Sequence, residues 1–352
     1  MIKIAFVCSG ISGGGAERFV VTMVNKFSKN KKFETLLITS EKTENEYTLA
    51  TSVTRKCILK NNYLLDSKAI REYLRAQKIE VAIFIGIYAN LCGCLANFFL
   101  KTKIIISERN APKQDNLSRK TKILRRILYR FADYYVFQTE GAKKFYSKKI
   151  QRKSRVIPNP VLDDLPMRKH TAEKSVVAIG RLSPQKNYGM LIEAFKIVKK
   201  KHPEYVLKIF GRGEEESQLK KQISNLDLND GVILEGFSNC VHENIICDDI
   251  YVMTSDFEGM PNALMEAMAM GFPVISTNCP SGGSADLIEN NINGILIPVK
   301  AFRLLADKIN YLIENESVKE RMAQEATKIR NTHNIEKIAK QWEDLILNLA
   351  CS

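Results

Sequence analysis

Between residues 257 and 277 the chain reads FEGMPNALMEAMAMGFPVIST, with two glutamates, Glu258 and Glu266, flanking a Gly-Met-Pro-Asn helix start. Pro261 fits the first helical position, so Gly259, Met260 and Asn262 present amide hydrogens at the positive end of a helix dipole. A phosphate would sit well there. Glu266 falls about 7 Å further along the helix at ~1.5 Å per residue, within reach of ribose hydroxyls of a nucleotide whose phosphates rest on the helix mouth. Glu258, in the loop before, could reach a sugar beyond those phosphates. The duller account is an amino-terminal charge plus a solvated helical glutamate. It does not explain why Glu266 stands among Ala, Leu and Met, where an acid needs a partner.

Two further stretches have matching chemistry. In GRLSPQKN (180–187), Arg181 and Lys186 bracket a Ser-Pro turn between a strand end and a helix start. A guanidinium fork and an ammonium point charge suit a diphosphate, although a solvated basic turn would look the same in isolation. In CSGISGGGAERF (8–19), Gly13, Gly14 and Gly15 lie between a strand and a helix that starts near Ala16 or Glu17. The backbone can approach a ligand closely there, or simply make a tight turn. The spacing is not the dinucleotide fingerprint G-x-G-x-x-G.

These loops need strands and helices to hold them. Apolar runs at 2–8, 34–40, 81–86, 103–107, 134–139 and 154–159 alternate with helical periodicity at 17–28, 67–77, 90–100 and 118–131. The layout predicts a parallel sheet with helices on both faces. After the Pro-, Asp- and Lys-rich stretch VIPNPVLDDLPMRKHTAEK the pattern restarts, with strands at 175–180, 205–211, 232–237, 249–255, 273–277 and 294–299. A length of 352 residues suits two cores. The expected organisation is α/β: an amino-terminal acceptor domain over 1–163, a carboxyl-terminal nucleotide-sugar domain over 164–334, and a last helix over 335–352 packing back on the first. Two doubly wound domains in series imply a cleft, with ligands outside the carboxyl ends of the strands.

The segments VIPNP, GRLSPQKN, FGRGEE, FEGMPNALMEAMAMGFPVIST and CPSGG…DLIEN…NGILIPV occur in an order and spacing that resemble the GT4 family of retaining, nucleotide-sugar-dependent glycosyltransferases with the GT-B fold. GISGGGAERFVVTMVN and IISERNAP look like the bacterial branch that builds capsule, O-antigen and other lipid-linked glycans. The resemblance implies two Rossmann-like domains facing across a cleft and a UDP-sugar as donor, carrying a hexose or N-acetylhexosamine. It implies a polyprenyl-diphosphate-linked glycan as acceptor. Arg181 and Lys186 would hold the diphosphate, Glu266 the ribose and Glu258 the donor sugar. Gly211 and the Phe237 region would frame the base through backbone contacts, and Gly13 to Gly15 would close over the donor. The acceptor hydroxyl would attack from the leaving-group face, with no metal and no obligatory enzyme nucleophile. One departure stands out: Arg109 replaces a histidine common in the family's SEHN segment. Guanidinium cannot serve as a base at neutral pH, so Arg109 is assigned an electrostatic catalytic role.

The stretch PKQDNLSRKTKILRRILYRFADYY (112–135) is dense in Arg and Lys, with Ile123, Leu124, Ile127, Leu128 and Phe131 at helical spacing. It reads either as a basic amphipathic helix on an anionic membrane or as a crossover helix packing its apolar side on the sheet. The strands before and after it favour packing. A net charge of +14 predicts attraction to polyanions, but no aromatic-basic RNA-binding motif is present, so nucleic acid is not expected as a partner. Met1–Val7 reads as a strand rather than a signal peptide, and no apolar run reaches the ~18 residues of a membrane span. The expectation is a cytoplasmic protein, with the inner face of the cell membrane as a place it could attach. The eight scattered cysteines read as reduced thiols, and Cys240, His242 and Cys247 match no standard zinc spacing. Three rival readings fit these residues less well. A non-catalytic nucleotide-sugar binder would not need Glu258, an NAD-dependent oxidoreductase would need the missing glycine fingerprint, and a glycoside hydrolase would have no use for a diphosphate site.

Overall fold

The computed structural model describes residues 1–43, 46–98, 100–113, 117–169, 173–280 and 282–351. They form two compact units: Met1–Pro160 together with Glu336–Ser352, and Val161–Ile335.

The first unit holds seven parallel strands: β1 (Ile2–Val7), β2 (Phe33–Thr39), β3 (Thr54–Cys57), β4 (Val81–Ile85), β5 (Lys103–Glu108), β6 (Tyr134–Phe137) and β7 (Ser154–Val156). Their order is β3-β2-β1-β4-β5-β6-β7. The helices are α1 (Gly15–Ser28), α2 (Tyr63–Ala76), α3 (Ile87–Ala96), α4 (Arg119–Leu128), α5 (Glu140–Lys144) and α6 (Lys148–Arg152). β4 is apolar throughout because helices cover both its faces, and all five of its residues are buried. β3 escapes a sequence reading because it is an edge strand, TRKC, with mostly exposed side chains. α2 starts four residues earlier than its periodicity suggests because Asn62 caps it, accepting from the amides of Leu64 and Leu65.

The second unit has six parallel strands: β8 (Ser175–Ile179), β9 (Val206–Phe210), β10 (Val232–Gly236), β11 (Ile250–Met253), β12 (Val274–Thr277) and β13 (Ile295–Ile297). Their order is β10-β9-β8-β11-β12-β13. Its helices are α7 (Tyr188–Lys201), α8 (Glu216–Asn225), α9 (Val241–Ile245), α10 (Asn262–Met270), α11 (Phe302–Glu314), α12 (Glu316–Ala326) and α13 (Ile329–Thr332). Because the strands are parallel, the loops that follow them emerge at one sheet edge, where folds of this kind bind ligands.

The last helix, α14 (Ile335–Ala350), returns the chain to the first unit. It buries Ile338, Trp342, Leu345 and Ile346 in the core that α1 also fills, with the Trp342 ring 5.9 Å from that of Phe19. Most of the expected linker is not loose. Val161 and Leu165 are core residues of the second unit, and the Val161 amide donates to His333 O at 2.8 Å. Arg168 donates to Gly271 O at 2.9 Å and pairs with Glu320 at 2.6 Å.

Candidate functional site

In the second unit the loop after β8 is tied to the loop after β11. Thr254 Oγ1 donates to Lys186 O at 2.8 Å, the Asp256 amide to Gln185 O at 2.8 Å, and Gln185 Nε2 to Phe257 O at 2.7 Å. Asn187, held in the left-handed region at φ 49°, caps α7 by accepting from the Met190 amide and donates to Asp256 at 2.9 Å. Proline-184 starts a 3-10 turn, Pro184–Lys186, that raises Lys186 toward the second loop. The result is an ion pair: Lys186 Nζ lies 2.6 Å from Glu258 Oε1, and Ser255 Oγ donates to the same oxygen at 2.8 Å. Sequence spacing suggested both charged residues but not their mutual contact, nor the part played by Ser255.

The loop after β12 closes the other side. Thr277 Oγ1 and Cys279 Sγ both donate to Ser255 O, at 2.5 and 3.2 Å. Burial pushes the Cys279 thiol up to about 11, so it serves as a donor and not as a nucleophile. Gly283 must be glycine, because a Cβ there would strike the carbonyl oxygen of Gly259. That contact brings the Gly282–Gly283 backbone against the mouth of α10. Gly211 is similarly constrained at the end of β9, where a Cβ would fall on Gly180 O.

α10 begins one residue later than its proline suggested. Pro261 is the N-cap, extended at ψ 102°, and Asn262 is the first helical residue. Pro261 has no side chain that could cap this end, and the dipole there favours an anion. Gly259 and Asn262 are partly open to solvent, whereas the Met260 side chain is 7% exposed and packs in the core. Met260 can therefore offer only its backbone. Glu266 is 8% exposed, and the partner its apolar setting requires is His242, whose Nε2 lies 3.0 Å from Glu266 Oε2. The sequence had shown His242 only as a poor zinc candidate. The pairing depends on α9 following β10 on the same edge as α10, and single-sequence spacing does not carry that. Arg181 is exposed beside Gly180, and Phe237 is 63% exposed after β10. Both stand on the same sheet edge as Lys186 and Glu258.

Gly13, Gly14, Gly15 and Arg109 belong to the first unit. α1 starts at Gly15, and the Glu17 carboxylate lies over Gly14, at the place a Cβ would take. The positive end of α1 thus already meets an anion, which makes it a poorer phosphate site than α10. Arg109 is 6% exposed. Its Nε donates to Ser107 Oγ and its Nη1 to Asn159 Oδ1, both at 2.8 Å, while the guanidinium sits 3.6 Å above the Phe19 ring. Burial pushes it down to about 9, which leaves it a cation at pH 7. These contacts tie β5, α1 and the chain near Asn159 together, while the Arg109 Nη2 is buried with no hydrogen-bond partner among the described residues.

Residues 166–329 match the family model described as glycosyl transferases group 1. The chain is 26% identical to an uncharacterized glycosyltransferase of Haemophilus influenzae, over 98% of this chain and the whole of that one. Residues 166–329 are a glycosyltransferase domain. The chain is also 26% identical to the Campylobacter jejuni GalNAc-alpha-(1->4)-GalNAc-alpha-(1->3)-diNAcBac-PP-undecaprenol alpha-1,4-N-acetyl-D-galactosaminyltransferase, over 98% of each chain. The Anabaena protein Alr3699/HepE, solved with UDP, superposes with a TM-score of 0.85 at 18% identity, covering 99% of this chain and all of the Anabaena chain. That likeness places both parallel-sheet units in the GT-B fold class.

Proposed function

We infer that this glycosyltransferase moves a hexose or N-acetylhexosamine from a UDP-sugar to a polyprenyl-diphosphate-linked glycan, with retention, in the synthesis of bacterial surface polysaccharide. One observation carries the donor half: Lys186, Glu258 and the amino-terminal mouth of α10 meet at a single sheet edge, joined by the 2.6 Å ion pair and by the Gly283–Gly259 contact. In this reading the diphosphate draws Lys186 away from Glu258 and lies across the α10 amides, with Arg181 as a second cation. Glu258 then faces the sugar hydroxyls and Glu266 the ribose. Gly211 and Phe237 flank the base. As the nucleoside diphosphate leaves, these cations and amides stabilise its growing charge without a metal, and the departing phosphate takes the acceptor's proton. The first unit is assigned the acceptor. The names of the relatives support this: the Campylobacter enzyme's acceptor is an undecaprenyl diphosphate glycan, and the Anabaena protein was solved with UDP. The acceptor being lipid-linked, the protein is assigned a peripheral place on the inner face of the cell membrane.

A thermal-shift panel tests the donor. UDP at ~100 times its Kd should add about 2.7 kcal/mol, roughly 5–10 °C for a domain of this size. NAD should add nothing. A response to NAD and none to UDP would overturn the proposal.

His242 yields a subtler expectation. Removing the imidazole frees Glu266 to lose its orientation toward the ribose. His242→Ala should weaken UDP binding roughly tenfold, the worth of one hydrogen bond to a charged group, with kcat at saturating donor nearly unchanged. Calorimetric titration with UDP checks it, and an unaltered Kd would remove His242 from the site.

A further inference from the structure

The geometry points to the outward face of α4 as a docking surface for an anionic lipid bilayer. This deepens the membrane association proposed above by naming the residues that make it, and it does not depend on the donor chemistry.

A crossover helix on a sheet ordinarily turns its apolar stripe inward. α4 does the reverse. Inward it sends Leu128 and Arg125, the latter 5% exposed, donating to Pro112 O at 3.2 Å and lying 5.4 Å from the Phe145 ring centre. Outward it presents Ile123 at 52% exposure, Leu124 at 41% and Ile127 at 45%. The row continues through Phe131 in the following 3-10 turn, whose ring lies 5.0 Å from exposed Phe98. The packing role favoured from the sequence for Ile123, Leu124, Ile127 and Phe131 is therefore wrong. Only Leu128 takes it, because the sheet beneath is already filled by α3, Tyr129 and Tyr135.

The charge pattern selects the occupant. Residues 117–132 contain six Arg or Lys and no acid. At roughly 100° per residue, Ile123, Ile127 and Leu124 span an exposed arc of about 100°, and Arg130, Arg119, Arg126 and Lys122 line one side of it. Lys120 falls within the arc. All five cations are exposed. A contiguous apolar row edged by exposed cations is unfavourable in water and fits a fluid surface of acyl chains beneath anionic headgroups. No helix among the described residues is long and apolar enough to cross a membrane, so interfacial contact is the mode this unit offers.

Co-sedimentation with vesicles tests the surface. Wild-type protein should partition onto phosphatidylcholine vesicles containing phosphatidylglycerol, weakly onto phosphatidylcholine alone, and less as salt is added. Arg126→Gln and Arg130→Gln should each lower partitioning roughly fivefold. Ile123→Ser with Ile127→Ser should lower it at least tenfold, with an unchanged melting temperature and an unchanged response to UDP, since these side chains lie outside the core and the donor site. Equal binding to both vesicle types, no binding, or a serine variant that sediments like wild type would overturn the inference. So would light scattering that shows a dimer lost in the serine variant, which would make a second copy the occupant. A missing UDP response in wild type would instead sink the donor assignment and leave this surface standing.

Discussion

Glu258→Gln should reduce turnover by roughly 10²–10³-fold, the scale seen when one preorganised electrostatic group is removed, while changing UDP affinity less than about threefold. The substitution keeps the volume of a side chain that is 9% exposed and can keep the hydrogen bond from Ser255, but it discharges the group. In the proposed complex Glu258 faces the sugar rather than the diphosphate, so the loss should fall on kcat. Glu258→Ala should be at least as damaging to turnover. Steady-state transfer assays with parallel UDP titration separate the two effects. Full turnover in the glutamine variant would mean that this carboxylate exists only to neutralise Lys186.

Lys186→Ala should damage both steps, weakening UDP roughly 30–100-fold and lowering kcat/KM by about 10³-fold, since one ammonium serves ground state and leaving group alike. It should also destabilise the fold. The pair's side chains are 18% and 12% exposed, so removing the cation strands a largely buried carboxylate. Fully buried pairs cost ~3–5 kcal/mol when broken; with this residual exposure, roughly 1–3 kcal/mol is expected. The double variant Lys186→Met with Glu258→Gln distinguishes structure from function. Stability should recover toward wild type because neither charge is left alone, and activity should not. Chemical denaturation beside the transfer assay would show it. A double variant that regains turnover would assign the pair a purely structural purpose.

The fold was legible wherever burial writes a long apolar pattern. Most of the strands stand out as runs of Val, Ile, Leu and Phe, whereas β3, polar and at a sheet edge, leaves no such mark. The site was legible where local spacing carries the chemistry: Glu258 and Glu266 bracket one helix start, and Arg181 and Lys186 one turn. It was opaque where elements distant in sequence meet. His242 reaches Glu266 only because α9 carries the chain back from the outer strand β10 toward β11, and Cys279 reaches Ser255 only because β12 lies beside β11. The burial of Arg109 was equally hidden, because a residue type at a motif position says nothing about which way it packs. α4 misled for a related reason, since its apolar periodicity is real and only the direction it faces was hidden.

The placement of Trp342 bears on how the molecule is made. The second unit is one uninterrupted stretch, Val161–Ile335, and can fold as soon as it clears the ribosome. The first is not. Its core beside Phe19 stays unfilled until α14 is synthesised, so of the two units the one translated earlier is completed later. A chain cut short before α14 would have a finished second unit and an open apolar trough in the first, a natural mark for quality-control proteases.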